Sequence, residues 1–69
     1  MSNSKLREQR VVKGLSQIQL SYLSKVPSTS ISDFELGKRK PWPRARKALA
    51  KALKVSEAEL FGEEDGSEH

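Results

Sequence analysis

Ser28-Thr29-Ser30-Ile31-Ser32-Asp33-Phe34-Glu35-Leu36-Gly37 is the stretch from which the rest of the chain can be understood. Ile31 and Phe34 stand three apart and predict the inward face of a short helix. Ser28, Thr29, Ser32, Asp33 and Leu36 share another face by the same three-and-four spacing. Gly37 suits a left-handed residue that closes the helix. Directly afterwards, six of the ten residues from Lys38 to Lys47 are basic. A small-polar helix face beside a dense cationic run fits one task above others: the helix enters a DNA groove and the cations hold phosphates on either side.

Outward from this helix, the apolar residues fall at helical spacings and no segment has the alternation of a strand. Toward the N-terminus, Lys25-Val26-Pro27 breaks the chain, because proline fixes its own torsion and pushes Val26 to an extended form. Before that break a helix is predicted from Gln17 to about Ser24, with Ser16 as its N-cap and Ile18, Leu20 and Leu23 as its apolar positions. A first helix is predicted over residues 4–13, carrying Leu6, Val11 and Val12 and closed by Gly14. Toward the C-terminus, Pro43 suits a first helical turn. That fourth helix should run to Lys54, with Ala45, Ala48, Leu49, Ala52 and Leu53 inward. A fifth, residues 56–61, opens on the capping-box pair Ser56 and Glu59 and returns Leu60 and Phe61 to the core. The expected fold class is all-α, a compact five-helix bundle.

The chain has 69 residues, enough for one small domain and no second core. It has no cysteine, so disulfides and zinc-thiolate sites cannot staple it, and helix packing must supply the stability. The formal charge is +4, but four of the nine acids (Glu63, Glu64, Asp65, Glu68) lie in the last seven residues. Residues 1–62 carry 13 basic and five acidic groups, net +8, which attracts nucleic acid or another anionic surface. Residues 63–69 have no apolar residue and are expected to form a disordered acidic tail on a domain of residues 1–62. No apolar run approaches the ~18 residues of a membrane span, and the polar start has no signal-peptide pattern, so a cytoplasmic protein is expected.

Several segments together resemble the Cro and lambda-repressor-like (XRE) helix-turn-helix family. They are Gly14-Leu15-Ser16-Gln17, Leu20, Val26, Ile31-Ser32, Phe34-Glu35-Leu36-Gly37-Lys38-Arg39-Lys40-Pro41, and Ala50-Lys51-Ala52-Leu53-Lys54-Val55-Ser56 with Leu60. The resemblance spans roughly residues 6–61 and rests on order and spacing rather than on any one piece. It implies a helix-turn-helix motif over about residues 16–36, with the recognition helix at about 28–36. It also implies operator binding, usually as a dimer, and usually repression. By this resemblance Gln17 grips a phosphate and braces the recognition helix, and Lys38 and Lys40 belong to a backbone-contacting loop. Ser28, Thr29, Ser32 and Asp33 match positions that face base edges, while Arg10 and Glu35 match a paired arginine and glutamate. The sequence departs from the pattern at Lys25, where the turn usually has a left-handed glycine, a change that costs roughly 1 kcal/mol. Ser21, Ser24, Gln9 and Arg46 also replace common alanine or larger apolar residues, and Pro27 takes the usual N-cap position of the recognition helix.

The chemistry of these residues sets further expectations. The candidate base-contacting set is Ser28, Thr29, Ser32 and Asp33. It contains no arginine, asparagine or glutamine, the residues that make bidentate contacts to guanine and adenine. Hydroxyls read bases permissively, and Asp33 can accept from cytosine N4, so modest direct readout supplemented by DNA shape is expected. Each hydroxyl could instead be only a cap or a solvated surface group. Ser16, Gln17, Lys38, Arg39, Lys40 and Arg44 are the candidate phosphate contacts. For Arg46, Lys47, Lys51 and Lys54, a solvated face is the expectation. Arg10 and Glu35 are expected to form a structural ion pair that fixes the angle between the first and third helices.

Catalysis has no support: the only histidine is His69, no glycine-rich phosphate loop is present, and Glu57 and Glu59 diverge on their helix. No metal-ligand cluster and no cofactor motif appears, so neither is expected. The expected partner is double-stranded DNA, bound by a weak or DNA-assisted homodimer at a palindromic operator. Two rivals use the same scaffold. One is a DNA-binding antitoxin with a toxin partner, and the other is a protein-interaction module for an acidic partner, which the weak base-reading set favours.

Overall fold

The computed structural model describes residues 4–62. The expected acidic tail, residues 63–69, lies outside the described residues. Five helices follow one another: α1 (Ser4–Val12), α2 (Gln17–Ser24), α3 (Ser28–Leu36), α4 (Pro43–Leu53) and α5 (Glu57–Phe61), with no strand among the described residues. α2 lies against α3 and α4, while α1 and α4 both pack on α5 and α1 also touches α3. Leu6, Leu20, Ile31, Phe34, Leu49, Leu53 and Leu60 are fully buried where these helices meet.

Local chemistry explains the element boundaries. The Ser16 hydroxyl accepts from the Gln19 amide at 3.0 Å, and the Gln19 side chain accepts from the Ser16 amide at 2.8 Å. Ser56 and Glu59 repeat this reciprocal cap at 3.1 Å in both directions, so Ser56 stands just before α5 rather than within it. α1 ends at Val12, one residue short of the expectation, because Gly14 at φ 72 already takes the chain out of the helix. The Leu15 amide then donates to the Arg10 carbonyl at 3.0 Å. α4 stops at Leu53, where Lys54 at φ 60 is its left-handed cap. Lys25, the lysine in the glycine position of the turn, adopts φ 64 and donates its amide to the Ser21 carbonyl at 2.8 Å.

α2 departs from the expected pattern. Leu20 is buried, but Ile18 is 62% and Leu23 58% exposed. At about 100° per residue, the inward arc runs through positions 17, 20, 21 and 24, far from 18 and 23. Two serines and a glutamine occupy that arc with Leu20, where α2 faces α3 and α4. Ser24 is buried and earns its place by hydrogen bonding: its hydroxyl donates to the Leu20 carbonyl at 2.8 Å and accepts from the Val26 amide at 3.2 Å. It thereby ties the end of α2 to the first residues of the turn. Val11 and Val12 are exposed as well, and Leu6 is the apolar residue that α1 buries. On α4 the stripe of Ala45, Leu49 and Leu53 is buried as expected, with Ala50 added to it, and Ala48 and Ala52 pack at its edge.

Candidate nucleic-acid interface

α3 has two sharply different sides. Ser30, Ile31, Phe34 and Glu35 are buried. Thr29 and Leu36 are exposed, and Ser28, Ser32 and Asp33 are half-buried beside them. The helix thus turns a short polar row outward, with its N-terminal turn formed by Ser28 and Thr29. Pro27 occupies the cap position and supplies no side-chain cap.

What holds α3 at this angle is a buried polar junction. The Arg10 guanidinium donates from Nε to Glu35 Oε2 at 2.6 Å and from Nη2 to Glu35 Oε1 at 3.1 Å. Its remaining nitrogen, Nη1, donates to the Leu15 carbonyl at 2.9 Å. Gln17 Nε2 adds a third bond to the same carboxylate, reaching Oε1 at 3.1 Å. One carboxylate therefore gathers α1, the start of α2 and the end of α3. The bidentate fork fixes direction as well as distance, so α3 cannot rotate about its axis without breaking it. Gln17 spends one amide hydrogen on this brace and is only partly buried, so its second N–H remains available at the α2 N-terminus, next to exposed Ser16.

The loop after α3 carries the charge. Lys38, Arg39 and Lys40 are exposed, and Arg44 is exposed in the first turn of α4. None of these four has an ion-pair partner among the described residues. The Lys38 amide donates to the Asp33 carbonyl at 2.9 Å, so the cationic loop leaves α3 along a fixed path. Trp42, the only tryptophan and readable from its place between two prolines as a lid over the small core, a dimer contact or a DNA-backbone contact, stands edge-on to Phe34 with ring centroids 5.5 Å apart and remains 40% exposed. Arg46 differs from the solvated cation expected of it: its guanidinium lies 5.7 Å from the Phe61 ring centroid and 3.6 Å from Glu57. Sequence reasoning had no signal for that contact, since it depends on where α5 folds back over α4.

A polar helix face, a braced angle and a row of unpaired cations thus lie together on consecutive elements. The helix-turn-helix family pattern matches residues 6–60. The chain belongs to the helix-turn-helix family, in its Cro and lambda-repressor-like branch. Among solved structures, this helix-turn-helix chain is similar to the restriction-modification controller protein C.AhdI from Aeromonas hydrophila. The two are 37% identical with a TM-score of 0.80, over 86% of this chain and 89% of that one. No curated protein matches the chain. Membership makes the chain a DNA-binding transcriptional regulator, of a family that is typically non-enzymatic. No helix among the described residues is long and apolar enough to cross a membrane.

Proposed function

We propose that this helix-turn-helix protein is a cytoplasmic, sequence-specific repressor that binds a palindromic operator, with α3 in the major groove. The observation that carries the reading is the outward row of α3 held beside unpaired Lys38, Arg39, Lys40 and Arg44. In this reading Ser28, Thr29, Ser32 and Asp33 contact base edges, and Ser16, Gln17 and the four cations hold phosphates. The Arg10–Glu35 pair sets the entry angle of α3 without touching DNA. A single domain of this size makes a small contact area, so useful affinity calls for two half-sites about one DNA turn apart, ~34 Å, and a weak or DNA-assisted homodimer. Similarity to a restriction-modification controller protein supports a regulatory role on DNA.

The test is selection of bound duplexes from a random pool at about 150 mM salt, where non-specific binding is weakened. A palindromic motif with spaced half-sites is expected. An unenriched pool would overturn sequence reading and favour the protein-interaction module or a toxin partner, to be sought by co-purification.

A further inference from the structure

Leu36 is the one apolar side chain of α3 outside the core. Ile31 and Phe34 are buried, whereas Leu36 is 56% exposed. It lies three residues after Asp33 and four after Ser32, one turn along the same outward row. Side chains of a helix lean toward its N-terminus, so Leu36 covers the turn that carries Ser32 and Asp33. Gly37, at φ 78, ends the helix immediately afterwards, so no further helical turn covers the leucine from the other side.

The chemistry of this pair is specific. A carboxylate only accepts hydrogen bonds, so Asp33 suits the N4 amino group of cytosine and is repelled by the O4 acceptor of thymine. On a pyrimidine the major-groove atom next to position 4 is C5, which in thymine carries a methyl group. An aliphatic side chain set beside an acceptor therefore matches a methyl group set at, or one step from, a cytosine amino group. We propose that Leu36 is a specificity-determining residue that packs on the C5-methyl group of a pyrimidine in the major groove, at or adjacent to the cytosine that Asp33 reads. This rests on α3 being the recognition helix. Thymine and 5-methylcytosine both present that methyl group, and Leu36 makes the same contact with either.

The experiment starts from the duplex that selection recovers. Its thymines are replaced one at a time by deoxyuridine and its cytosines one at a time by 5-methyldeoxycytidine. Kd is then measured for the unaltered protein, Leu36→Ala and Leu36→Met. Burying one methyl group changes affinity about fourfold. At one position, deoxyuridine should weaken the unaltered protein by that factor, or 5-methyldeoxycytidine should strengthen it. Leu36→Ala should erase the difference and Leu36→Met should keep most of it. An effect in the deoxyuridine arm assigns the methyl to thymine, and one in the other arm assigns it to methylated cytosine. Because Leu36 is exposed, the variants should melt with the parent protein. If every replacement shifts the unaltered protein and Leu36→Ala equally, the methyl contact is overturned while α3 remains a reading helix. If no duplex is selected at all, the recognition-helix reading fails and the proposal fails with it.

Discussion

Asp33 and Glu35 are both carboxylates on α3, two residues apart, and they live in opposite surroundings. Glu35 is 6% exposed and accepts three hydrogen bonds, two from Arg10 and one from Gln17. Asp33 is half-buried on the outward row, and its carboxylate has no hydrogen-bond or ion-pair partner among the described residues. About 200° of helix rotation separates them, enough to place one in the scaffold and leave the other for a ligand. The difference teaches that one short helix divides its labour by face: charge on the inner face is consumed by structure, and charge on the outer face is left unsatisfied.

The strongest way to break this contrast is Glu35→Ala. It removes the acceptor of three donors and leaves the largely buried Arg10 guanidinium without a counter-charge. The expected loss is ~3–5 kcal/mol, which for a domain this small lowers Tm by roughly 12 °C or more. Thermal unfolding followed by circular dichroism checks it. A loss below ~1 kcal/mol would mean the pair behaves like an exposed one, and the inner face would not be the fixed side of α3.

The next effect belongs to the outer side. Lys38→Ala combined with Lys40→Ala removes two exposed cations that have no ion-pair partner among the described residues. Stability should stay within about 0.5 kcal/mol of the parent, because neither side chain packs. Affinity for DNA should fall on every sequence, and the slope of log affinity against log salt should flatten by about two. An unchanged slope would remove these lysines from the phosphate-contacting set.

A smaller and more selective change is expected for Asp33→Ala or Ser32→Ala. Either should melt with the parent and shift discrimination at one base position by about 1–3 kcal/mol. Repeating the duplex selection with the variant protein measures it. A uniform loss of affinity, with site ranking preserved, would show that the outward carboxylate and hydroxyl do not read bases.

How far this division was legible beforehand depends on what each residue needs. Gly14, Ser16, Gly37 and Ser56 announce helix ends through local torsions and capping geometry, and the structure places an end beside each. Ile31 and Phe34 mark the inner face of α3 because their spacing and size agree. In α2 size misleads. Ile18 and Leu23 look like core residues, yet the helix turns Leu20, Ser21 and Ser24 toward α3 and α4 instead. Periodicity marks an apolar face but cannot report which face the neighbouring helices cover. The buried Ser24 carries a local signal in retrospect, a hydroxyl one residue before a left-handed position that bonds both ways across the turn. The bracing role of Gln17 comes with the family resemblance, although its bond to Glu35 joins separate helices, whereas the place of Arg46 beside Phe61 and Glu57 depends on a contact between helices that no local pattern encodes.

Arg46 and Glu57 supply the smallest prediction, and it tests whether geometry or mere pairing decides the worth of an arginine–glutamate contact. Their closest approach is 3.6 Å, and Arg46 Nε has no hydrogen-bond partner, in contrast to the 2.6 Å contact of Arg10, each of whose three guanidinium nitrogens donates a hydrogen bond. Glu57→Gln keeps the shape and removes the charge, so it should cost less than ~1 kcal/mol. Arg46→Met keeps an apolar stem and removes the guanidinium that lies over Phe61, so its cost should also stay small if the charge contributes little to holding α4 to α5. Arg46→Ala removes both and should exceed each. If Glu57→Gln alone matched Glu35→Ala in an unfolding series, burial and bidentate geometry would not be what sets the two pairs apart, and the account of how Glu35 fixes the recognition helix would have to be rebuilt on other contacts.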